Sequence, residues 1–244
     1  AVTGKVVLEE KAHVESFLWV NPNRVLFTAS KRLGRLSEPS YTEGVFSVNA
    51  DGSGQGRVDN FSAVSPHFDS FDVAGIMDPL RDDDDRVVVV IYNKKRGEYQ
   101  VSKMNVYTGK LTDIPTRAPG KVSGFVIDNK GQVRFATSAR EDLNTTIYYR
   151  EPESKDWTII NSQHETSLYT IPIGFSADSK IAYMQSEEES GPDAIYEFNT
   201  ETKEKKLLFK DDNVDPDAAL TSPIDGGVYA FRYQDGIPKY RFVN

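Results

Sequence analysis

The chain of 244 residues has no cysteine. Disulfides, thiolate nucleophiles and cysteine metal sites are therefore excluded, and the redox compartment leaves no trace in the sequence. Histidine is scarce: His13, His67 and His164 are the full set, and none forms the His-x-His or His-x-x-x-His pair that holds a metal. Each reads as a surface or loop histidine, and no metal or other cofactor is expected. Long apolar runs are missing too. The most hydrophobic stretch, residues 87–91 (VVVVI), falls far short of the roughly 20 residues a membrane-spanning helix needs. Positive charge is in deficit, with a formal net charge of -8, and Lys94-Lys95-Arg96 is a short loop cluster and not a basic stripe, which argues against nucleic acid as a partner. The Gly-x-Ser-x-Gly turn of a hydrolase nucleophile is also lacking. Asp51-Gly52-Ser53-Gly54 has its glycines in another frame and reads as a hairpin turn, so no catalytic residue is assigned.

What the chain has is repetition. Residues 124–138 (GFVIDNKGQVRFATS) and 145–160 (TTIYYREPESKDWTII) are followed by residues 173–186 (IGFSADSKIAYMQS) and 193–209 (DAIYEFNTETKEKKLLF). Each pair reads as strand, tight turn, strand, longer loop, strand, tight turn, strand. Four short strands at a period of about 40 to 50 residues select an all-β propeller over a helical solenoid. A β-branched residue follows the first turn at Val25, Val87, Val133, Ile181 and Val228, at successive spacings of 62, 46, 48 and 47 by direct subtraction. One enlarged unit and three regular ones fit an insertion near the start. Gly, Asn and Asp recur at the turns, where positive φ is required.

Taken in order, residues 5–10 (KVVLEE) read as an isolated fourth strand. Four complete four-stranded units follow, the first with its fourth strand expected near residues 57–61, and three strands near residues 218–222, 227–233 and 239–243 close the chain. About five blades are expected, four complete and one either split between the termini or left incomplete. The length suits a single propeller domain spanning residues 1–244. The chain opens at Ala1 inside a strand pattern, with neither an initiator Met nor a leader, and is expected to be a fragment of something longer.

In an up-and-down blade the first and third turns emerge at one end and the remaining connections at the other. The long connections, residues 31–43, 62–70, 138–144, 162–168, 187–192 and 210–217, all fall at the second end, the expected recognition face. Acidic clusters lie at both ends. Residues 82–85 (DDDD) and 211–217 (DDNVDPD) read as solvated charge, since tight calcium loops alternate their ligands and include a glycine. Glu187, Glu188 and Glu189 stand on the long-loop face, where they either serve solubility or capture a peptide amino terminus. First-strand carboxylates Glu15, Asp72 and Asp217 keep a glycosidase reading in view, although two regular units contribute none.

The runs FLWVNPNRVLFTASKRLG, GVFSVNADGSG and TTIYYREPESKDW together resemble the amino-terminal propeller of bacterial serine peptidases of the prolyl oligopeptidase family, of the dipeptidyl aminopeptidase or acylaminoacyl peptidase type. The resemblance extends over essentially the whole chain. It implies a partner α/β-hydrolase domain after Asn244 in the same parent chain, which carries the catalytic triad, and short peptides as substrates. It also implies a periplasmic or secreted location, and Glu187 to Glu189 as the run comparable to an amino-terminus-binding glutamate pair. The alternatives are a stand-alone propeller that binds a protein partner through its long-loop face and, third, the glycosidase.

Overall fold

Apolar residues recur every second position through most of the chain, and the backbone follows them into strands. The structure is a computed structural model that describes residues 4–8, 10, 12–32, 40–64 (backbone alone for 40–43), 68, 72, 74–139 and 143–243. In chain order the elements are β1 (Ala12–Asn21), β2 (Arg24–Lys31), β3 (Ser40–Asn49), β4 (Gly56–Arg57), α1 (Phe61–Val64), β5 (Ala74–Asp78), β6 (Arg86–Asn93), β7 (Glu98–Asn105) and β8 (Leu111–Ile114). They continue as β9 (Val122–Ile127), β10 (Val133–Ala139), β11 (Thr145–Tyr149), β12 (Thr158–Ser162), α2 (Gln163–Thr166), β13 (Thr170–Phe175), β14 (Ile181–Ser186), β15 (Ala194–Asn199) and β16 (Lys205–Lys210). The last three are β17 (Pro216–Thr221), β18 (Val228–Asp235) and β19 (Ile237–Phe242). They form four four-stranded antiparallel meanders and one of three strands, with consecutive strands always neighbours. The fold is an all-β propeller of five blades.

The chain divides into two compact units, Ala1–Ile114 with the first two blades and Pro115–Asn244 with the other three. In the first unit Leu26, Val45, Phe61, Val87, Val89, Ile91 and Met104 form a buried core. In the second unit β14 is covered on both sides. Ala182 and Met184 join Phe135, Ile147, Tyr149, Phe175 and Phe198. Tyr183, the residue between them, points the other way to Ile195, Val228 and Phe231. The two-residue side-chain period of a strand thus gives one strand to two cores. Rings dominate the first of these: Phe135 lies 5.1 Å from Tyr149 and 5.7 Å from Phe175, both tilted, as ring quadrupoles favour.

Three expectations fail. Residues 4–8 form no strand; of the two forms expected for the fifth blade, split or incomplete, the second is found, β17–β19 being three-stranded among the described residues. A Cβ on Gly4 would come 2.4 Å from the backbone of Asp51, so the chain at Gly4 is packed against the β3–β4 turn. Strand propensity in so short a segment is realised only where it pairs with a sheet edge. Second, the strand expected over residues 57–61 ends at Arg57. Asp59 takes the Arg57 Nε at 2.6 Å and its carbonyl accepts the Phe61 N–H at 2.9 Å, which turns the chain and drives Phe61 into the core at 1% exposure. Third, the loop after β12 contains α2, which Ser167 ends in the left-handed conformation (φ 60°), its N–H bonded to the Gln163 carbonyl.

Candidate functional site

The long-loop end of the second unit is built by strand ends. β14 delivers residues 187–193 and β16 delivers residues 211–215, which lead into β17. The base of this end is tied by polar contacts. The Thr170 and Ser186 hydroxyls meet at 2.8 Å, both buried, and Gln185 Nε2 donates to Asp193 Oδ2 at 2.9 Å. The Asp193 N–H in turn donates to Asp215 Oδ1 at 2.7 Å, which joins the two acidic loops to one another.

The three glutamates, equal in sequence, are separated by structure. Glu187 Oε2 accepts the Tyr169 N–H at 2.7 Å, and so extends the β13–β14 ladder beyond its last strand pair. Glu188 accepts the Tyr196 hydroxyl at 2.7 Å and lies 3.6 Å from Lys210 Nζ. That hydrogen bond, helped by burial, holds the Tyr196 phenol protonated and pushes its pKa up to about 12. Lys205 covers the same ring, its ammonium 4.0 Å from the centroid, and burial pulls its pKa down while Glu188 opposes that shift. Glu189 is exposed and makes no ion pair or hydrogen bond among the described residues. The rim also carries Asp211, Asp212 and Asp217, the last paired with Arg232 at 2.7 Å. Such a rim can hold an ammonium by charge-assisted hydrogen bonds.

The other acidic candidates are committed elsewhere. Asp83 pairs with Arg86 at 2.6 Å, and among the described residues no group of three or more His, Asp or Glu side chains is placed to hold a metal. Of the three carboxylates behind the glycosidase reading, Glu15 is exposed on β1 and Asp217 is paired with Arg232. Asp72 is 1% exposed and accepts the Lys94 N–H at 2.9 Å, so it is sealed off as a reacting group. His13 is exposed on β1, His164 lies in α2, and His67 lies outside the described residues. No helix among the described residues is long and apolar enough to cross a membrane.

No known family model matches the chain, and no curated protein matches it in sequence. Solved structures do. A TolB candidate from Agrobacterium tumefaciens superposes with a TM-score of 0.53 at 14% identity over 91% of this chain and 70% of its own. A prolyl endopeptidase superposes with a TM-score of 0.54 at 12% identity over 91% of this chain and 32% of its own. The likeness is one of fold. This propeller spans about a third of the endopeptidase chain.

At the opposite, short-turn end of the second unit the propeller carries a buried polar lock. Arg134, on β10, is 3% exposed. It donates to Asp128 Oδ2 at 3.0 Å, to the Arg150 carbonyl at 3.1 Å and to the Tyr149 hydroxyl. The Tyr149 hydroxyl in turn donates to Glu151 Oε2 at 3.1 Å, and Lys203, from the next blade's turn, bonds Glu151 and the Thr200 carbonyl. Burial opposes ionisation of Glu151, but Lys203 and Tyr149 outweigh it and its carboxyl titrates below the usual range. The first unit has a counterpart without an acid. Arg24 is 4% exposed and its guanidinium is taken up by Asn49 Oδ1 at 2.8 Å, the Gly54 carbonyl at 3.0 Å and the Val106 carbonyl at 3.1 Å, above the Tyr107 ring. Sequence reasoning missed both arginines. Each sits beside the β-branched residue of a second strand, and that placement was the available signal.

Proposed function

We propose that this chain is the non-catalytic propeller domain of a serine peptidase, gating short peptides towards a hydrolase domain of the same parent chain. The observation that carries the reading is the acidic long-loop end, with an exposed Glu189 beside two anchored glutamates, on a scaffold similar in fold to that of a prolyl endopeptidase. The mechanism is steric and electrostatic. A rigid set of blades limits passage, and the rim holds the amino terminus of a peptide before a serine elsewhere attacks it. Glu187 and Glu188 orient the loop, and Glu189 meets the ammonium.

Two measurements test this. A fluorescent tetrapeptide with a free amino terminus binds the purified chain more tightly than its N-acetylated form, and Glu189→Gln reduces that preference severalfold. Equal affinity for the two peptides overturns the assignment of the rim. The isolated chain leaves aminoacyl p-nitroanilides intact, and turnover that a serine-directed inhibitor abolishes would count against a non-catalytic role.

A second reading is a stand-alone propeller that binds a protein partner through the same loops, favoured by the 70% coverage of the TolB candidate. The parent gene beyond Asn244 separates the two. A Gly-x-Ser-x-Gly motif within a few hundred residues supports the peptidase, and a stop codon supports the partner-binding propeller.

A further inference from the structure

The loop of residues 187–193 runs from β14 to β15, and both of its feet are fixed. The Glu187 N–H donates to the Tyr169 carbonyl at 2.8 Å, and at the far side Asp215 takes the Asp193 N–H while Gln185 holds the Asp193 carboxylate. The crest between them has far less support. Among the described residues the backbone of residues 188–192 makes a single hydrogen bond, in which the Ser190 carbonyl accepts from Lys210 Nζ at 3.0 Å. Gly191, at φ 80°, gives the crest a conformational freedom that a tie from outside the loop has to restrain.

The ladder places Lys210 for that task. It is the last residue of β16 and stands opposite Ala194, where the loop rejoins the sheet. From there its side chain reaches back along the loop: a Cβ on Gly191 would lie 3.9 Å from both its Cε and its Nζ, the distance of ordinary contact. The same ammonium lies 3.6 Å from Glu188, whose carboxylate also accepts the Tyr196 hydroxyl. One side chain thus engages the residues on both sides of Glu189, the carboxylate that no described group engages.

Lys210 acts on an ammonium ligand in two opposed ways. Its charge repels the ligand, and its hydrogen bond orders the loop that receives it. The charge is largely offset by Glu188 at 3.6 Å, whereas the tie to Ser190 has no substitute in the crest. We propose that Lys210 is a positioning residue for the peptide amino terminus: it orders the crest beforehand, so that Glu189 meets the ligand without a further loss of loop entropy on binding. The assignment rests on the reading of the rim as the seat of that amino terminus.

The unaltered chain, Lys210→Met and Lys210→Arg are compared by titration with the fluorescent tetrapeptide carrying a free amino terminus and with its N-acetylated form. Lys210→Met keeps the length of the side chain but loses its charge and its donor, and is expected to weaken the free peptide on the order of tenfold while leaving the acetylated one unchanged. Lys210→Arg, which still donates to a carbonyl, is expected to restore most of the loss. Amide hydrogen exchange reads the loop itself, and Gly191 is expected to exchange faster in Lys210→Met. A free-peptide affinity that stays or rises in Lys210→Met, as removal of a repelling charge alone would give, overturns this assignment and leaves the rim reading in place. A loss that Lys210→Arg repeats in full, or an unchanged exchange rate at Gly191, does the same. Equal affinity of the unaltered chain for the two peptides overturns the rim reading and the role of Lys210 with it.

Discussion

The two ends of the blades in the second unit use charge in opposite ways. At the short-turn end Asp128, Arg134 and Tyr149 are buried and matched donor to acceptor, and Lys203 with Asn129 carries the connection to the next blade, Asn129 Nδ2 donating to the Ser176 carbonyl at 2.8 Å. At the long-loop end the carboxylates outnumber their cations and Glu189 is left to solvent. A buried charge left without its partner is strongly destabilising, whereas an exposed charge contributes little to stability and is free to meet a ligand. The same residue types thus hold the scaffold at one end and equip it for recognition at the other.

Substitutions at the lock are the severest test of this contrast. Arg134→Leu leaves the Asp128 carboxylate, 2% exposed at its side chain, buried without its cation, and is expected to cost about 3–5 kcal/mol in urea unfolding. Adding Asp128→Asn recovers part of that loss. A cost below about 1 kcal/mol would place the pair with ordinary surface ion pairs and erase the contrast. Tyr149→Phe keeps the ring within its aromatic cluster and removes one hydroxyl, for a loss of about 1 kcal/mol by the same measurement.

At the other end the effects are smaller. The folded protein holds the Tyr196 phenol proton more tightly than the unfolded chain, whose tyrosines titrate near the ordinary value of 10.0. The stabilisation is whole below that pH and is lost as pH rises from 10.0 to about 12. Tyr196→Phe is expected to flatten the fall in stability across this window, and an unchanged slope would show that Glu188 does not hold the phenol. Glu189→Gln is expected to change stability by less than about 0.5 kcal/mol. A larger loss would mean that Glu189 belongs to the scaffold after all.

Much of the fold is legible in the sequence. Strands β9–β16 fall where alternation and Asn, Asp or Gly turns place them, because hairpin registry is a local property. The fourth strand of the first blade was overestimated because a buried Phe61 looks the same in sequence whether a strand or a short helix delivers it. Arg134 was passed over for a related reason. A polar residue in an alternating strand reads as outward-facing, but β10 is covered by neighbours on both sides. The acidic rim was legible as composition only. That Glu187 caps a ladder, Glu188 meets Tyr196 and Lys210, and Glu189 meets nothing depends on strands brought alongside from elsewhere in the chain.

Composition and periodicity alone determined that this chain forms antiparallel blades, where their turns lie, and that no metal-ligand motif, thiol or nucleophile elbow is encoded in it. Those properties depend on residue type and spacing over a few tens of residues. Tertiary structure alone decided which arginines lock the blades, which glutamate is free and that Lys210 reaches the Ser190 carbonyl. Burial and partnership are set by packing between segments distant in sequence, and a side chain's chemistry takes its meaning from what desolvates it.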